Sequence, residues 1–464
     1  MKTTILWLRR DLRLYDNAAL NWACDNSSHV IPVYIHAAAE EQPWAPGGAS
    51  RWWLHHSLLA LDKKLQAYGL NLNFFSGDSN KVLSEIIAKT GADTLVFNKL
   101  YEPHLHRRDE ALQQTLKHVE IITFDSGLFF TPGTVLNNQQ LPYRVFTPFY
   151  KKIRPLLDQL YHSYSVPSPV EGLKKLAPVT VDFALSLHAL DLLDDHRWHE
   201  KLHEHWLPGE ENALNLLEHF LDESVRDYQA DRDIPSHEGT SRLSPYLHFG
   251  EITPQQIYIS LWPLLEGAYR SGAMQSAEVF LKQLLWREFA HHVLWFFPHT
   301  SSQPMNPRYK KTFWRAHKNN FNLWTRGQTG IPIVDAGMKQ LWQTGWMHNR
   351  VRLISSSFLT KNLGINWTEG AHWFWDTLVD ADLANNSMGW QWVAGCGVDA
   401  APYYRVFNPN TQTTRFDGAH KYINTWVPEH IELDYPAPIV DLASSREKAL
   451  QRYKQNITSQ GDFI

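Results

Sequence analysis

The sequence predicts an α/β domain with a parallel, Rossmann-like sheet, followed by an all-α domain. Three observations support this. Strand-like and helix-like runs alternate over residues 1–130, prolines punctuate residues 131–200, and residues 201–464 are helical in period. At 464 residues the chain has room for roughly two to three domains. In the first, Thr3–Leu8, Val30–His36, Leu70–Ser76, Thr94–Asn98 and Ile121–Phe124 are short and mostly apolar, as buried strands are. Between them, Ala49–Tyr68 and Ser79–Lys89 carry apolar residues at helical spacing. Such alternation implies parallel pairing, with helices on both faces. A ligand is then expected at the carboxyl ends of the strands. The turn after the first strand is Arg9-Arg10-Asp11-Leu12-Arg13, not a glycine fingerprint, so a dinucleotide held in the usual way is not expected there. Pro132, Pro142, Pro148, Pro155, Pro167, Pro169 and Pro178 suggest a connector with a few helical turns.

Composition narrows the function. Hydrophobic residues are 43% and charged residues 20%, which argues against a disordered chain. No apolar run reaches the roughly 18 residues of a transmembrane helix, and the run before Arg9 is too short for a signal peptide. Cys24 and Cys396 make neither a disulfide framework nor a zinc site, and fit a reducing compartment. The net charge of −4 conceals an asymmetry. From Phe289 to Thr368 the sole acid is Asp335, against Arg308, Lys310, Lys311, Arg315, Lys318, Arg326, Lys339, Arg350, Arg352 and Lys361. Trp314, Trp324, Trp342 and Trp346 are interleaved. This suggests a nucleic acid or another polyanion, against the alternative of a solvated face that lacks acids. Twenty tryptophans are present, eleven of them from Trp286 to Trp392. They can form a core, a stacking surface or a route for electrons.

Four segments carry candidate chemistry. Tyr228-Gln-Ala-Asp-Arg232 precedes Glu238-Gly-Thr-Ser-Arg-Leu-Ser244, where Thr240, Ser241 and Ser244 bring hydroxyls to a helix start and Ser244-Pro245 reads as cap and first turn. A phosphate suits such a place, although a cap without a ligand is the commoner case. In Lys282–His292, Gln283, Trp286, Arg287 and Ala290 share a helix face that resembles a cavity wall. In Gly345–Leu353, Asn349, Arg352 and Leu353 share a face. The last runs Asp380-Ala-Asp-Leu-Ala-Asn-Asn-Ser-Met-Gly-Trp-Gln-Trp392; Asp380 and Asp382 lack a third ligand nearby, so no metal is expected. Trp390 and Trp392 diverge by about 200° if helical and face opposite sides.

The segments LWLRRDLRLYDN, EGTSRLSPYLHFG, LLWREF, GWMHNRVR, DADLANNSMGWQW and RVFNP, in this order, resemble the photolyase/cryptochrome family over nearly the whole chain. The resemblance implies an antenna domain at 1–130, a connector at 131–200 and a helical FAD- and DNA-binding domain at 201–464. It implies blue-light repair of cyclobutane pyrimidine dimers, flipped from DNA, by an electron from reduced, anionic FAD. The alternatives are a cryptochrome-type photoreceptor and a (6-4) photolyase. Tyr228, Thr240, Ser241, Arg242, Leu243, Ser244, Arg287, Asn349, Arg352, Asp380, Ala381 and Asp382 match cofactor contacts. Asn386 matches the residue beside flavin N5, where an amide does not repel a reduced anion as a carboxylate does. Arg232, Gln283, Trp286, Asn349, Arg350 and Trp392 match the lesion and DNA site, with the two indoles stacking on the dimer. Trp390, Trp367 and Trp314 match the indoles that reduce the flavin.

The (6-4) branch carries histidines where this chain has Asn349 and Leu353, which favours the cyclobutane lesion. Many cyclobutane enzymes carry glutamate where this chain has Gln283, which can hydrogen-bond a thymine edge but supplies neither charge nor proton. The chain ends 34 residues after His430, without the long tail of plant cryptochromes, which favours an enzyme. Gly47–His56 resembles the bacterial branch nearest those cryptochromes and implies a methenyltetrahydrofolate antenna contacted by Glu102. An 8-hydroxy-5-deazaflavin near Arg51 is the alternative. A cytoplasmic bacterial monomer acting on DNA, without membrane or protein partner, completes the expectation.

Overall fold

The structure is a computed structural model that describes residues 2–164, 168–193, 198–266, 271–309, 313–399 and 404–456. Five strands, β1 (Thr3–Leu8), β2 (His29–His36), β3 (Asn73–Ser76), β4 (Thr94–Asn98) and β5 (Glu120–Phe124), form one sheet in the order β3-β2-β1-β4-β5. Every pairing is parallel. Helices α1 (Ala18–Asn26), α2 (Gly48–Gln66), α3 (Ser79–Thr90) and α4 (Pro103–Thr115) connect the strands. Both faces are covered. Along β1, Ile5 and Trp7 enter one core while Leu6 and Leu8 enter the other. The strand order reverses between β1 and β4, the place where an open α/β sheet leaves a crevice.

β3 begins at Asn73, three residues later than its apolar run suggests. The Leu70 amide donates to Leu65 O at the end of α2, and the Leu72 amide to Asp62 Oδ1 at 2.8 Å, so neither joins the ladder. The proline-rich stretch also differs from expectation. It holds an 18-residue helix, α5 (Phe146–Ser163), with Pro148 in its first turn and Pro155 inside. Phe149, Ile153 and Leu157 recur at helical spacing and are buried, and this packing outweighs the amide lost at Pro155. Further on, Ala177 and Leu185 bridge to His29 and Phe74 at the sheet.

From Glu210 onward every regular element among the described residues is helical. The seam with the sheet unit is closed by carboxylates. Glu210 accepts the Leu14 and Tyr15 amides at 3.1 and 2.8 Å, with Lys64 Nζ at 3.1 Å. Glu251, fully buried, accepts Trp53 Nε1 of α2 at 3.0 Å and the Gly209 amide at 2.6 Å. Beside it Gly250 has φ +65°, and a Cβ there would lie 2.0 Å from Arg10 O. Only glycine combines that backbone with that approach.

Burial, with the neighbouring Glu210 charge acting in the same direction, raises the Glu251 carboxyl from 4.5 to about 8. The folded state then holds a proton that the unfolded state releases between these values, so this stabilisation is lost as pH rises through the window. Urea midpoints at pH 5.5 and 8.5 should fall toward the higher pH in the wild type. The difference between the two should shrink in Glu251→Gln.

Candidate functional site

Three segments of the helical unit converge on Asp380. Its Oδ2 accepts Ser244 Oγ at 2.7 Å and Arg352 Nη2 at 3.0 Å. Its Oδ1 is buried without a partner among the described residues. Arg352 is aimed by its Nε, which donates to Met347 O at 2.7 Å. Ser244 does not cap the short helix Ser244–Phe249; Leu243 takes the cap position, because the Ser244 hydroxyl is committed to Asp380. The preceding loop carries Arg242 at φ +51°, a conformation uncommon outside glycine. The Arg242 guanidinium lies over Trp206 at 4.6 Å and Trp346 at 5.2 Å, and its Nε is buried and unpartnered. Thr240 and Ser241 are half-buried beside it, and Leu243 is buried. Tyr228 lies under the Arg232 guanidinium at 5.5 Å, and burial pushes its hydroxyl up to about 12.

Asp382, two residues on, faces elsewhere. It caps helix Leu383–Ala394, its Oδ1 accepting the amide and side chain of Asn385 at 2.8 Å. Its Oδ2 lies 3.3 Å from His291 Nε2 and 3.7 Å from His248 Nδ1. Burial opposes its charge, but His291 and then His248 hold it well below the usual carboxylate range. Ala381 is buried between the two acids. One turn into the helix, Asn386 Nδ2 donates to Ala371 O at 3.1 Å. Asn349 is exposed at the start of helix Asn349–Ser357.

The face read from Lys282–His292 is divided. Arg287 turns to the sheet unit, donating to Gly127 O at 2.7 Å. With Arg10, Glu102, His248, His291 and Asp382 it lines a small, half-open cavity at the carboxyl ends of β1 and β4. Glu102, buried and ion-paired to Arg10, stays below its ordinary value although burial pushes the other way. Arg51 does not line this cavity; it donates to Pro46 O at 3.3 Å. Outside that cavity, Gln283 Oε1 accepts Arg232 Nη2 at 3.2 Å, while its Nε2 donates to Val279 O. Trp286 is stacked on Phe146, with centroids 3.7 Å apart and planes at 11°. Trp392 Nε1 donates to Asp399 O at 3.1 Å, and the Asp399 carboxyl accepts a hydrogen bond from the Phe146 backbone. The two indoles are thus joined through Phe146 and Asp399.

A profile for "DNA photolyase" matches residues 4–170, and one for "FAD binding domain of DNA photolyase" matches residues 280–434. A deoxyribodipyrimidine photo-lyase of Agrobacterium fabrum is 40% identical, covering 97% of each chain. The chain belongs to the photolyase/cryptochrome family. Cryptochrome-2 of Arabidopsis thaliana is 34% identical over 98% of this chain and 79% of its own length. The crystal structure of a bacterial class III photolyase from Agrobacterium tumefaciens superposes with a TM-score of 0.91 at 39% identity, covering 99% of this chain and 98% of its own. An archaeal photolyase from Sulfolobus tokodaii, solved with two FAD molecules, gives 0.81 at 28% identity over 98% and 100%.

Within this photolyase/cryptochrome fold the indoles separate as their spacing suggests. Trp390 is buried against Phe374 at 4.9 Å, with its Nε1 unpartnered, and Trp392 is half-buried on the other side. Trp367 is buried at the start of helix Trp367–Thr377, whose Gly370 carries the Trp390 ring. Trp314 is half-buried beside Phe313, and the next amide, of Arg315, donates to Gly364 O. The basic stretch does not form one free face. Lys361 is buried, Lys339 pairs with Glu429, Arg350 with Asp233 and Arg352 with Asp380. Lys310 and Lys311 lie outside the described residues. Nor are its rings free platforms: Trp324 is fully buried, and Trp342 stacks between Trp198 and Trp373. Phe146, Asp233, Asp399, His248 and His291 had no distinguishing mark in sequence; only folding brings them to these groups.

A Cβ at Gly370 would lie 2.1 Å from the Trp390 ring. Gly370→Ala should therefore destabilise the fold by about 1–3 kcal/mol and lower the urea midpoint, despite alanine's better helix propensity. An unchanged or higher midpoint would contradict this packing.

Proposed function

We propose that this chain is a deoxyribodipyrimidine photo-lyase that splits cyclobutane pyrimidine dimers in DNA under blue light, with reduced FAD as cofactor. The observation that carries the reading is the convergence on Asp380. Ser244 and Arg352 share one oxygen, while the other oxygen and Arg242 Nε are buried without partners. Buried polar groups are normally satisfied, so this set fits a ligand rich in donors and phosphate oxygens. Bound and reduced, FAD supplies the light-excited electron that opens the dimer and takes it back. The Thr240–Ser244 loop and Tyr228 hold the phosphates and ribityl chain. Asn349, Arg352, Asp380 and Ala381 border the rings, whereas Arg287 and Asp382, matched to the same contacts, face the cavity at the sheet. Asn386 is fixed through its Nδ2, which leaves Oδ1 to face the ring edge without adding charge.

Trp286 and Trp392 grip the flipped dimer, and Phe146 covers one face of Trp286, leaving the other for stacking, worth ~1–3 kcal/mol per base. Gln283, Asn349 and Arg232 bond its polar edges, and Arg350 meets the strand. Asn349 and Leu353 in place of histidines favour the cyclobutane lesion over the (6-4) product. Trp390, Trp367 and Trp314 pass electrons inward to the cofactor. For the antenna, methenyltetrahydrofolate is supported by Glu102, an ionised buried carboxylate suited to a pterin's N–H edge; an 8-hydroxy-5-deazaflavin is the second candidate. The protein works on this reading as a cytoplasmic monomer. No helix among the described residues is long and apolar enough to cross a membrane.

Prereduced protein, mixed with a dimer-containing oligonucleotide, should clear the dimer under blue light. No loss of dimer alongside intact DNA binding would overturn the enzymatic reading. Trp314→Phe should slow photoreduction of the flavin while chemically reduced protein repairs normally; equal loss in both assays would contradict the electron route. A near-ultraviolet absorption band in the purified protein is expected for folate, whereas a longer-wavelength band would assign the deazaflavin.

A further inference from the structure

We propose that Asp233 is a positioning residue: it fixes the spacing of Arg232 and Arg350, and through them the preference for dimer-bearing over undamaged DNA. This rests on the reading of the Gln283–Trp286 side as the lesion face. One oxygen, Asp233 Oδ1, lies 2.7 Å from Arg350 Nη2 and 3.9 Å from Arg232 Nε. The two arginines come from separate segments, one after helix Tyr228–Asp231 and one in the first turn of helix Asn349–Ser357. Each is steadied by a ring at its other side, Arg232 by Tyr228 at 5.5 Å and Arg350 by Phe416 at 4.3 Å. Arg232 also gives a hydrogen bond to Gln283, whose amide carries no charge. Asp233 is therefore the carboxylate that both guanidiniums share.

Stability does not account for this acid. Its side chain is 37% exposed, and an ion pair in that setting adds little to folding. At a face meant for DNA it also repels every phosphate. Geometry is what it supplies. With Arg350 bonded to this oxygen and Arg232 drawn to it at ion-pair range, the two like charges keep a set separation. Without the shared oxygen they move apart, and the contacts that depend on the flipped dimer's shape loosen. Contacts with an undamaged backbone need only positive charge and do not suffer.

The two effects have opposite signs, which makes the role testable. Full-length, flavin-loaded wild type and Asp233→Asn are titrated in the dark against two oligonucleotides identical except for one cyclobutane thymine dimer. The variant should bind undamaged DNA more tightly and the dimer more weakly, so that the ratio of affinities falls about tenfold or more. Asp233→Glu should restore most of the ratio. Flavin content and visible spectrum should not change. A rise in both affinities at constant ratio would make Asp233 a plain surface charge and overturn the proposal. A fall in both together with flavin loss would make it a fold residue and overturn it equally. A wild type with no preference for the dimer would overturn the lesion face itself, and this role with it.

Discussion

The buried Glu251 carboxyl is the constraint on which the arrangement rests. Among the described residues the helical part of the chain shares no strand with the sheet, so its orientation must be set by side chains and close backbone approach. Glu251 joins α2, through Trp53, to the Gly209 amide that opens helix Glu210–His219. Glu210 then takes two amides from the segment after β1. Gly250 lets the backbones meet where any side chain would keep them apart. The cavity at the strand ends exists because these contacts hold the helices a fixed distance above the sheet.

Within the helical unit, two acids with one residue between them serve different compartments. Asp380 gathers the 240–244 loop and helix Asn349–Ser357, and keeps an oxygen in reserve. Asp382 ends the turn, starts the next helix and faces the histidines of the seam. The bare Asp-Ala-Asp tripeptide is thus a partition. One side belongs to the candidate cofactor pocket and the other to the cavity shared with the sheet.

Sequence reasoning reached the fold because burial periodicity is local: β1 and β4 begin and end where their apolar runs do. It failed where distant groups claim a backbone, as Asp62 claims Leu72, or where packing outweighs a breaker, as around Pro155 in α5. The site divided in the same way. Residues carried by long motifs, such as Ser244, Arg352 and Asp380, are brought within hydrogen-bond reach of one another. The Ser-Pro signature implies a cap at Ser244, and a tertiary partner redirects its hydroxyl. Gln283, Trp286 and Arg287 do share a face of one unbroken helix, but their partners come from different segments. The acid-poor stretch misled because a count of charges along the chain ignores partners such as Asp233 and Glu429, which come from elsewhere.

Helix Ser271–Phe296 carries a further consequence. Trp286, Arg287 and Glu288 are consecutive, and each is committed in a different direction: to Phe146 of α5, to Gly127 O, and to the Phe129 and Phe130 amides. No substitution at one of these can be compensated by rotating the helix, because rotation would break the other two. Over generations, this tripeptide can change only together with the start of α5 and the segment 127–130. Drift is instead free on solvent-facing positions such as the fully exposed Leu433.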